Sequence, residues 1–102
     1  MTDTKSKILI VEDDLDVAEM LNAYFRVQGY EVFTVNWGED GVRSSQQDHP
    51  DLIILDINLP SLSGLDVCEQ VKQKKPTLPI LMLTARSSEA DVVAGLEKGA
   101  DD

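Results

Sequence analysis

The chain has 102 residues, of which 42% are hydrophobic, a size and composition typical of one domain with a modest core. Its 19 acidic residues against 9 basic ones give a net charge of −10, which excludes the basic surface that nucleic-acid binding requires. No apolar run is long enough for a transmembrane helix and the first residues do not resemble a signal peptide, so we expect no membrane partner. The single cysteine, Cys68, excludes an internal disulfide and fits a reducing, cytoplasmic compartment.

Four short apolar runs recur along the chain at similar spacing and predict four β-strands. Three of them are continuous and rich in branched aliphatic residues, which is typical of strands that are buried on both faces. The second run is mixed and fits the edge of a sheet. The four runs cover residues 8–11, 32–35, 52–55 and 80–83.

Helical patterns lie between and after these strands. Asp14 is a plausible cap for the first helix and Gly29 a plausible stop. A second helix is expected over residues 39–47, although Gly41 and two serines weaken its signal. Trp37, just before it, is a candidate partner-binding residue, but the favoured interpretation is that it covers the edge of the core, because large aromatic side chains bury much area. The stripes of the other helices are Val17, Met20, Leu21, Tyr24 and Phe25, then Leu65, Cys68 and Val71, then Val92, Val93 and Leu96.

Chemically useful residues stand where the predicted strands end. Glu12 and Asp13 follow the first strand, Asp56 ends the third, and Thr84 and Ala85 follow the fourth. Strict alternation of strands and helices predicts a parallel sheet with right-handed crossovers and helices on both faces. Because the carboxyl ends of parallel strands share one edge, we expect these residues to gather at a single site.

The carboxylates of this site would repel one another. Like charges ~4 Å apart repel by roughly 4 kcal/mol at an effective dielectric of about 20, so a proton or a cation must relieve the repulsion. A hard, oxygen-preferring ion such as Mg²⁺ fits an all-carboxylate site. Alternatively, the acidic turn only caps a helix, an interpretation that we accept for Asp14 and Asp16. For Glu12 and Asp13 it leaves Asp56 unexplained.

Asp56 is the candidate nucleophile of this site. A carboxylate beside Mg²⁺ can attack a phosphoryl group and form an acyl phosphate, while the metal shields its charge. Thr84 offers a hydroxyl donor across the site. Pro60 and Gly64 are expected to shape the loop that follows Asp56.

The segments ILIVEDD, PDLIILDINLPSLSGLDVC, PILMLTAR and GLEKGADD, in this order, resemble the receiver domain of two-component response regulators. The resemblance covers the whole chain, so residues 1–102 are expected to form one receiver domain. It implies an α/β, flavodoxin-like (CheY-like) doubly wound parallel sheet with strand order 2-1-3-4-5. The family also has a fifth strand, a fifth helix and a lysine at the end of that strand. The chain stops before all three, and we therefore expect it to be C-terminally incomplete.

The resemblance also implies phosphorelay signalling. Asp56 is expected to accept a phosphoryl group from a phosphohistidine of a sensor histidine kinase. The implied cofactor is Mg²⁺, for which Mn²⁺ can substitute. Asp13 and Asp56 would supply carboxylates to the metal, Asn58 its backbone carbonyl, and Glu12 would order a metal-bound water. Such a domain is not an enzyme in its own right, but it assists its own phosphoryl transfer and dephosphorylation.

Further expectations follow from the same resemblance. Thr84 is the switch hydroxyl that moves to the phosphoryl oxygens, and Ala85 is small where the family leaves room for the phosphoryl group. The LTAR and GLEKGADD segments are similar to the subfamily whose receiver precedes a winged-helix DNA-binding domain. That similarity implies transcription regulation, with DNA bound only through an output domain absent here. It also implies a homodimer that forms through the fourth-helix face.

Two other classes of function stay open. An enzyme of the haloacid-dehalogenase type also uses a strand-end aspartate and Mg²⁺, but it carries a second aspartate where this chain has Asn58. A degenerate receiver would only bind partners. The complete set of acidic residues and Thr84 argue against degeneracy, whereas the missing lysine favours it for this fragment. Phosphoryl transfer from acetyl phosphate, with and without Mg²⁺, separates the three classes.

Overall fold

The computed structural model describes residues 5–59 and 62–83, in which strands and helices alternate as predicted. The predicted strands are all present within these ranges, and the helix expected around residues 92–96 lies outside them. None of the described helices is both long and apolar enough to cross a bilayer. The elements are β1 (Lys7–Val11), α1 (Leu15–Val27), β2 (Glu31–Val35), α2 (Gly38–Gln47), β3 (Leu52–Asp56), α3 (Gly64–Lys74) and β4 (Ile80–Leu83).

The four strands form one parallel sheet in the order β2-β1-β3-β4. β1 lies between β2 and β3, so that Val11 is paired with both Val35 and Leu55. On the other side of β3, Asp56 is paired with Leu83 of β4. The predicted order 2-1-3-4 is therefore confirmed for the described strands, and β2 lies at an edge as its mixed composition indicates.

The sheet separates two clusters of buried apolar side chains. Leu9 and Val11 of β1 belong to the cluster that packs beneath α3, together with Cys68, which is fully buried as predicted. Ile8 and Ile10 belong to the cluster on the opposite face, beneath α1. Each buried aliphatic side chain stabilises the fold by about 1.5–3 kcal/mol. Burial of alternate residues on both faces explains why β1 and β3 have continuous apolar sequences.

Both ends of α1 are formed by the residues that the sequence predicts. The Asp14 Oδ1 atom accepts hydrogen bonds from the backbone N–H groups of Asp16 (3.0 Å) and Val17 (3.2 Å). These bonds satisfy two N–H groups that have no partner within the helix. At the other end, Gly29 has φ = 98°, a left-handed conformation that glycine adopts without steric cost.

The predicted apolar stripe of α1 is wrong at two positions. Met20 is 62% exposed and Tyr24 is 57% exposed. At 100° per residue both lie more than a quarter turn from the face centred on Ala18, Leu21 and Phe25, which packs on the sheet. The stripe in the sequence is therefore wider than the buried face.

The weak sequence signal of α2 has a structural cause. Its buried residues are Gly38, Gly41, Ser44 and Ser45, which are small rather than apolar. A Cβ atom at Gly41 would lie 2.9 Å from the side chain of Val11, so the helix approaches the sheet too closely for larger residues. The prediction that Trp37 covers the core edge is wrong. It is 52% exposed, whereas the neighbouring Gly38 is buried, and a Cβ atom there would lie 2.9 Å from the side chains of Leu62 and Val67.

Candidate functional site

Three carboxylates meet at the carboxyl edge of the sheet. One oxygen each from Glu12, Asp13 and Asp56 lies within 4.8 Å of the others. Glu12 and Asp56 are buried, whereas Asp13 is exposed. The predicted convergence of these residues is confirmed, and it follows from the pairing of β1 beside β3.

The turn after β1 is fixed by hydrogen bonds on every side of Glu12. Its backbone N–H donates to the carbonyl oxygen of Val35 (3.1 Å), and its own carbonyl oxygen accepts from the Nδ2 atom of Asn36 (2.9 Å). Its side-chain Oε2 atom accepts from the backbone N–H of Asp14 (3.1 Å). The end of β2 and the cap of α1 together hold the acidic turn in place.

Asn36 is a residue that sequence reasoning missed. The available signal was weak, because a polar residue directly after an edge strand is common in loops. Its role depends on the parallel pairing of Val11 with Val35, which brings the end of β2 beside the acidic turn. Only the register of the two strands reveals this contact.

The segment after β3 turns back immediately behind Asp56. The Oδ1 atom of Asp56 accepts the backbone N–H of Asn58 (3.1 Å), and the N–H of Gly64 donates to the carbonyl oxygen of Ile57 (2.9 Å). A Cβ atom at Gly64 would lie 2.1 Å from the carbonyl oxygen of Asp56. The predicted role of Gly64 in shaping this loop therefore has a steric basis, because only glycine permits such an approach. Pro60 lies outside the described residues.

Burial and the nearby carboxylates change the acidity of Glu12. Burial, together with the neighbouring carboxylates of Asp56 and Asp13, raises the pKa of Glu12 from 4.5 to about 7, although the hydrogen bond from the backbone N–H of Asp14 lowers it. Negative charge at this edge is therefore costly in the absence of a counter-ion.

The donor set fits a hard divalent cation. All the converging atoms are carboxylate oxygens, which Mg²⁺ prefers, and an exposed carboxylate on Asp13 leaves one side of the cluster open to water. A cation would also offset the repulsion that, together with burial, raises the pKa of Glu12. Asn58 is exposed and lies two residues beyond Asp56. Thr84 and Ala85 directly follow the last described residue, Leu83, and lie outside the described ranges.

The comparison with protein families identifies this class of domain. Residues 8–102 match the family described as response regulator receiver domain. The chain therefore belongs to the response regulator receiver domain family, the signalling domains of two-component systems. The predicted family is confirmed.

Individual relatives agree with this assignment. Over 96 residues the chain is 46% identical to the alkaline phosphatase synthesis transcriptional regulatory protein PhoP of Bacillus subtilis (strain 168). That match covers 94% of this chain and 40% of PhoP, so the chain spans about two fifths of its curated relative. The similarity supports the predicted subfamily.

Solved structures show the same fold. A protein assigned as a response regulator from Chloroflexus aurantiacus J-10-fl superimposes with a TM-score of 0.92 at 42% identity, over 97% of this chain and 83% of that one. The chemotaxis protein CheY4 of Vibrio cholerae superimposes with a TM-score of 0.91 at 30% identity, over 95% and 82% of the two chains. The predicted CheY-like architecture is confirmed.

Proposed function

We propose that this receiver domain accepts a phosphoryl group on Asp56 from a phosphohistidine of a sensor histidine kinase, in a reaction that depends on Mg²⁺. The observation that carries the proposal is the meeting of Asp56 with Glu12 and Asp13 within 4.8 Å. Receiver-family membership supports the reaction class, and this geometry supports Asp56 as the acceptor.

The chemistry requires only one nucleophile from the chain. An oxygen of the Asp56 carboxylate attacks the phosphorus atom and forms a P–O bond while the P–N bond to the kinase imidazole breaks. The bonding electron pair stays on the imidazole nitrogen, and the product is an acyl phosphate. The N–H of Asn58 holds the Asp56 carboxylate in place from the backbone side.

The metal would be held by the residues that converge at the sheet edge. Asp13 and Asp56 would give carboxylate oxygens, Asn58 its backbone carbonyl, and Glu12 would act through a bound water. Mn²⁺ can replace Mg²⁺ at such a site. When bound, the cation would offset the charge of the carboxylates and of the incoming phosphoryl oxygens.

Two further residues complete the proposed response. Thr84 follows β4, which is paired with β3, and its hydroxyl would sense the phosphoryl group. Ala85 would leave space for that group. We include in the proposal that the domain assists its own dephosphorylation.

The proposed biological output is transcription regulation in the cytoplasm. The similarity to the Bacillus regulator supports an output domain beyond this receiver, through which alone the protein would contact DNA. Dimerisation through the fourth-helix face belongs to the same proposal. A dehalogenase-type enzyme is disfavoured because Asn58 stands where that class has its second aspartate.

Phosphate incorporation from acetyl phosphate tests the proposal. In the full-length protein we expect Asp56→Asn to abolish incorporation and Asp13→Asn to weaken it strongly, and omission of Mg²⁺ should have the same effect as losing Asp13. Thr84→Ala should leave transfer largely intact and blunt the downstream response.

Asp51→Asn is the matched control, because Asp51 precedes the same strand at its opposite end and accepts the backbone N–H of Lys7. It should be phosphorylated like wild type. Incorporation by Asp56→Asn at the wild-type level would refute Asp56 as the acceptor. Incorporation that is indifferent to Mg²⁺ would refute the metal site.

A further inference from the structure

We infer that Asn36 is a positioning residue that anchors the acidic turn to the edge strand β2 and thereby sets the affinity of the site for Mg²⁺. The inference rests on the proposed function, because it assumes that Asp13 and Asp56 hold the metal. Asn36 touches neither carboxylate and would act through the backbone of Glu12.

The contact is specific to the peptide that joins the two acidic residues of the turn. The Nδ2 atom of Asn36 donates to the carbonyl oxygen of Glu12 at 2.9 Å, in a part-buried position. That carbonyl belongs to the peptide group whose nitrogen is the nitrogen of Asp13. Rotation of this peptide would therefore redirect the Asp13 side chain, and the Asn36 hydrogen bond opposes that rotation.

Asn36 makes one of two hydrogen bonds that fix the backbone of Glu12 to the end of β2. The N–H of Glu12 donates to the carbonyl oxygen of Val35 at 3.1 Å, and the carbonyl oxygen of Glu12 accepts from the side chain of Asn36, the residue that directly follows β2. Asp13 itself is exposed, so no packing fixes its direction. The turn therefore depends on hydrogen bonds to set the direction of Asp13, which is the situation in which outer partners tune metal affinity.

The position of Asn36 also allows a clean substitution. It lines an open groove of about 380 Å³ between α1 and β2, together with Asn22 and Thr34. Truncation of Asn36 would enlarge this groove, where a mobile water can solvate the Glu12 carbonyl without fixing its direction, and would leave both buried clusters intact. We therefore expect Asn36→Ala to fold.

The first measurement is the Mg²⁺ affinity of the full-length protein. It is obtained by titration with Mg²⁺ while the amide chemical shifts of Asp13 and Asp56 are monitored by NMR. Asn36→Ala should bind Mg²⁺ about tenfold more weakly, the lower end of the effect of outer partners on metal sites. Asn36→Leu, which keeps the branching at Cγ and lacks the donor, should show the same loss.

Asn22→Ala is the matched control. It lines the same groove and loses a hydrogen bond of the same length, from its Nδ2 atom to the Thr34 hydroxyl at 2.9 Å, as well as the bond that its Oδ1 atom accepts from Arg26 Nε. Neither of these bonds reaches the acidic turn, so Asn22→Ala perturbs the groove at least as much as Asn36→Ala does. Its Mg²⁺ affinity should stay within about twofold of wild type, as for independent sites. Wild-type affinity in the Asn36 variants, or an equal loss in Asn22→Ala, would overturn the inference.

A second, metal-free measurement separates this inference from the proposed function. In EDTA, Asn36→Ala should accelerate hydrogen exchange at the amides of Glu12 and Asp14, which are bonded to Val35 and to the Glu12 side chain. Asn22→Ala should not. Absence of Mg²⁺ binding by the wild type would refute the proposed metal site. Unchanged hydrogen exchange in Asn36→Ala would refute the anchoring role of Asn36, whether or not the metal binds.

Discussion

The two ends of β3 carry aspartates in contrasting surroundings. Asp51, immediately before the strand, is exposed, and its carboxylate accepts the backbone N–H of Lys7 at 2.7 Å. Asp56, at the other end, is buried and lies within 4.8 Å of the carboxylates of Glu12 and Asp13. One strand thus places the same residue type once as a solvated acceptor and once within a cluster of like charges.

The difference teaches that position in the sheet decides what an aspartate can do. At the amino end, water and a backbone donor satisfy the carboxylate, and no cation is needed. At the carboxyl end, burial and like charges raise the pKa of Glu12 to about 7, so the metal-free site bears an electrostatic cost. The carboxyl edge is arranged for a ligand at the expense of stability, and the amino edge is not.

Substitution of one glycine at each edge of the sheet should give the largest contrast in stability and in phosphorylation. Gly64→Ala would force a Cβ atom to within 2.1 Å of the Asp56 carbonyl oxygen, and the backbone there cannot yield easily. We expect a loss of about 3 kcal/mol in the free energy of unfolding, as for severe overpacking, and loss of phosphorylation. Denaturant unfolding and acetyl phosphate labelling measure the two effects.

Gly29→Ala is the control for that substitution. Gly29 precedes β2 at the amino end and has φ = 98°, with no atom within 4 Å of an added Cβ. It should cost about 1 kcal/mol through backbone strain alone, and phosphorylation should persist. Equal effects of the two alanines on stability and labelling would contradict a special constraint behind Asp56.

The next contrast is the pH dependence of the free energy of unfolding of Glu12→Gln, measured in EDTA. Because the folded-state pKa of Glu12 is raised from 4.5 to about 7, the native state binds more protons than the unfolded state between these values. The stabilisation from protonated Glu12 is fully present below pH 4.5 and is lost as the pH rises through 7. Glutamine cannot ionise, so Glu12→Gln should be more stable than wild type by up to about 3 kcal/mol at pH 8.

Unfolding free energies at pH 4 and pH 8 measure this effect. The advantage of Glu12→Gln should vanish at pH 4 and shrink at pH 8 when Mg²⁺ is added. Asp51→Asn, at the amino end, should change stability by less than about 0.5 kcal/mol at either pH, as is usual for surface substitutions. An advantage for Glu12→Gln that is independent of pH would rule out the electrostatic explanation.

The smallest effect concerns two helix caps. Ser63 caps α3 by accepting the backbone N–H of Asp66 at 3.2 Å, and Asp14 caps α1 beside the crowded carboxylates. Loss of either cap should cost about 1 kcal/mol, as for typical N-cap substitutions. In EDTA, however, Asp14→Ala also removes a negative charge from the residue that follows Asp13 in the chain, so it should cost less there than in Mg²⁺.

Thermal or denaturant unfolding with and without Mg²⁺ distinguishes the two caps. Ser63→Ala should cost the same under both conditions. If Asp14→Ala were equally insensitive to Mg²⁺, its charge would not be part of the crowded edge.

The sheet and the convergence of the carboxylates could be predicted because they depend on strong local signals. β1 and β3 are buried on both faces, so their sequences are continuously apolar, and their ends fix where Glu12, Asp13 and Asp56 must lie. The meeting of these groups then follows from the parallel arrangement alone.

Features that depend on close approach or register could not be predicted in the same way. α2 buries small residues such as Gly41 against Val11, a face that carries no hydrophobic signal. The hydrogen bond from Asn36 to Glu12 exists only because β2 lies beside β1 in one particular register. The exposed position of Trp37 likewise depends on how tightly α2 packs, which composition does not reveal.

The most direct test is to locate the acyl phosphate itself. The full-length protein is incubated with acetyl phosphate in Mg²⁺ or in EDTA, the aspartyl phosphate is trapped by borohydride reduction, and the modified residue is identified by mass spectrometry. We predict modification at Asp56, dependent on Mg²⁺, and none at Asp13 or Asp51. Modification at Asp13 or Asp51, or equal modification of Asp56 in EDTA, would contradict the proposed site.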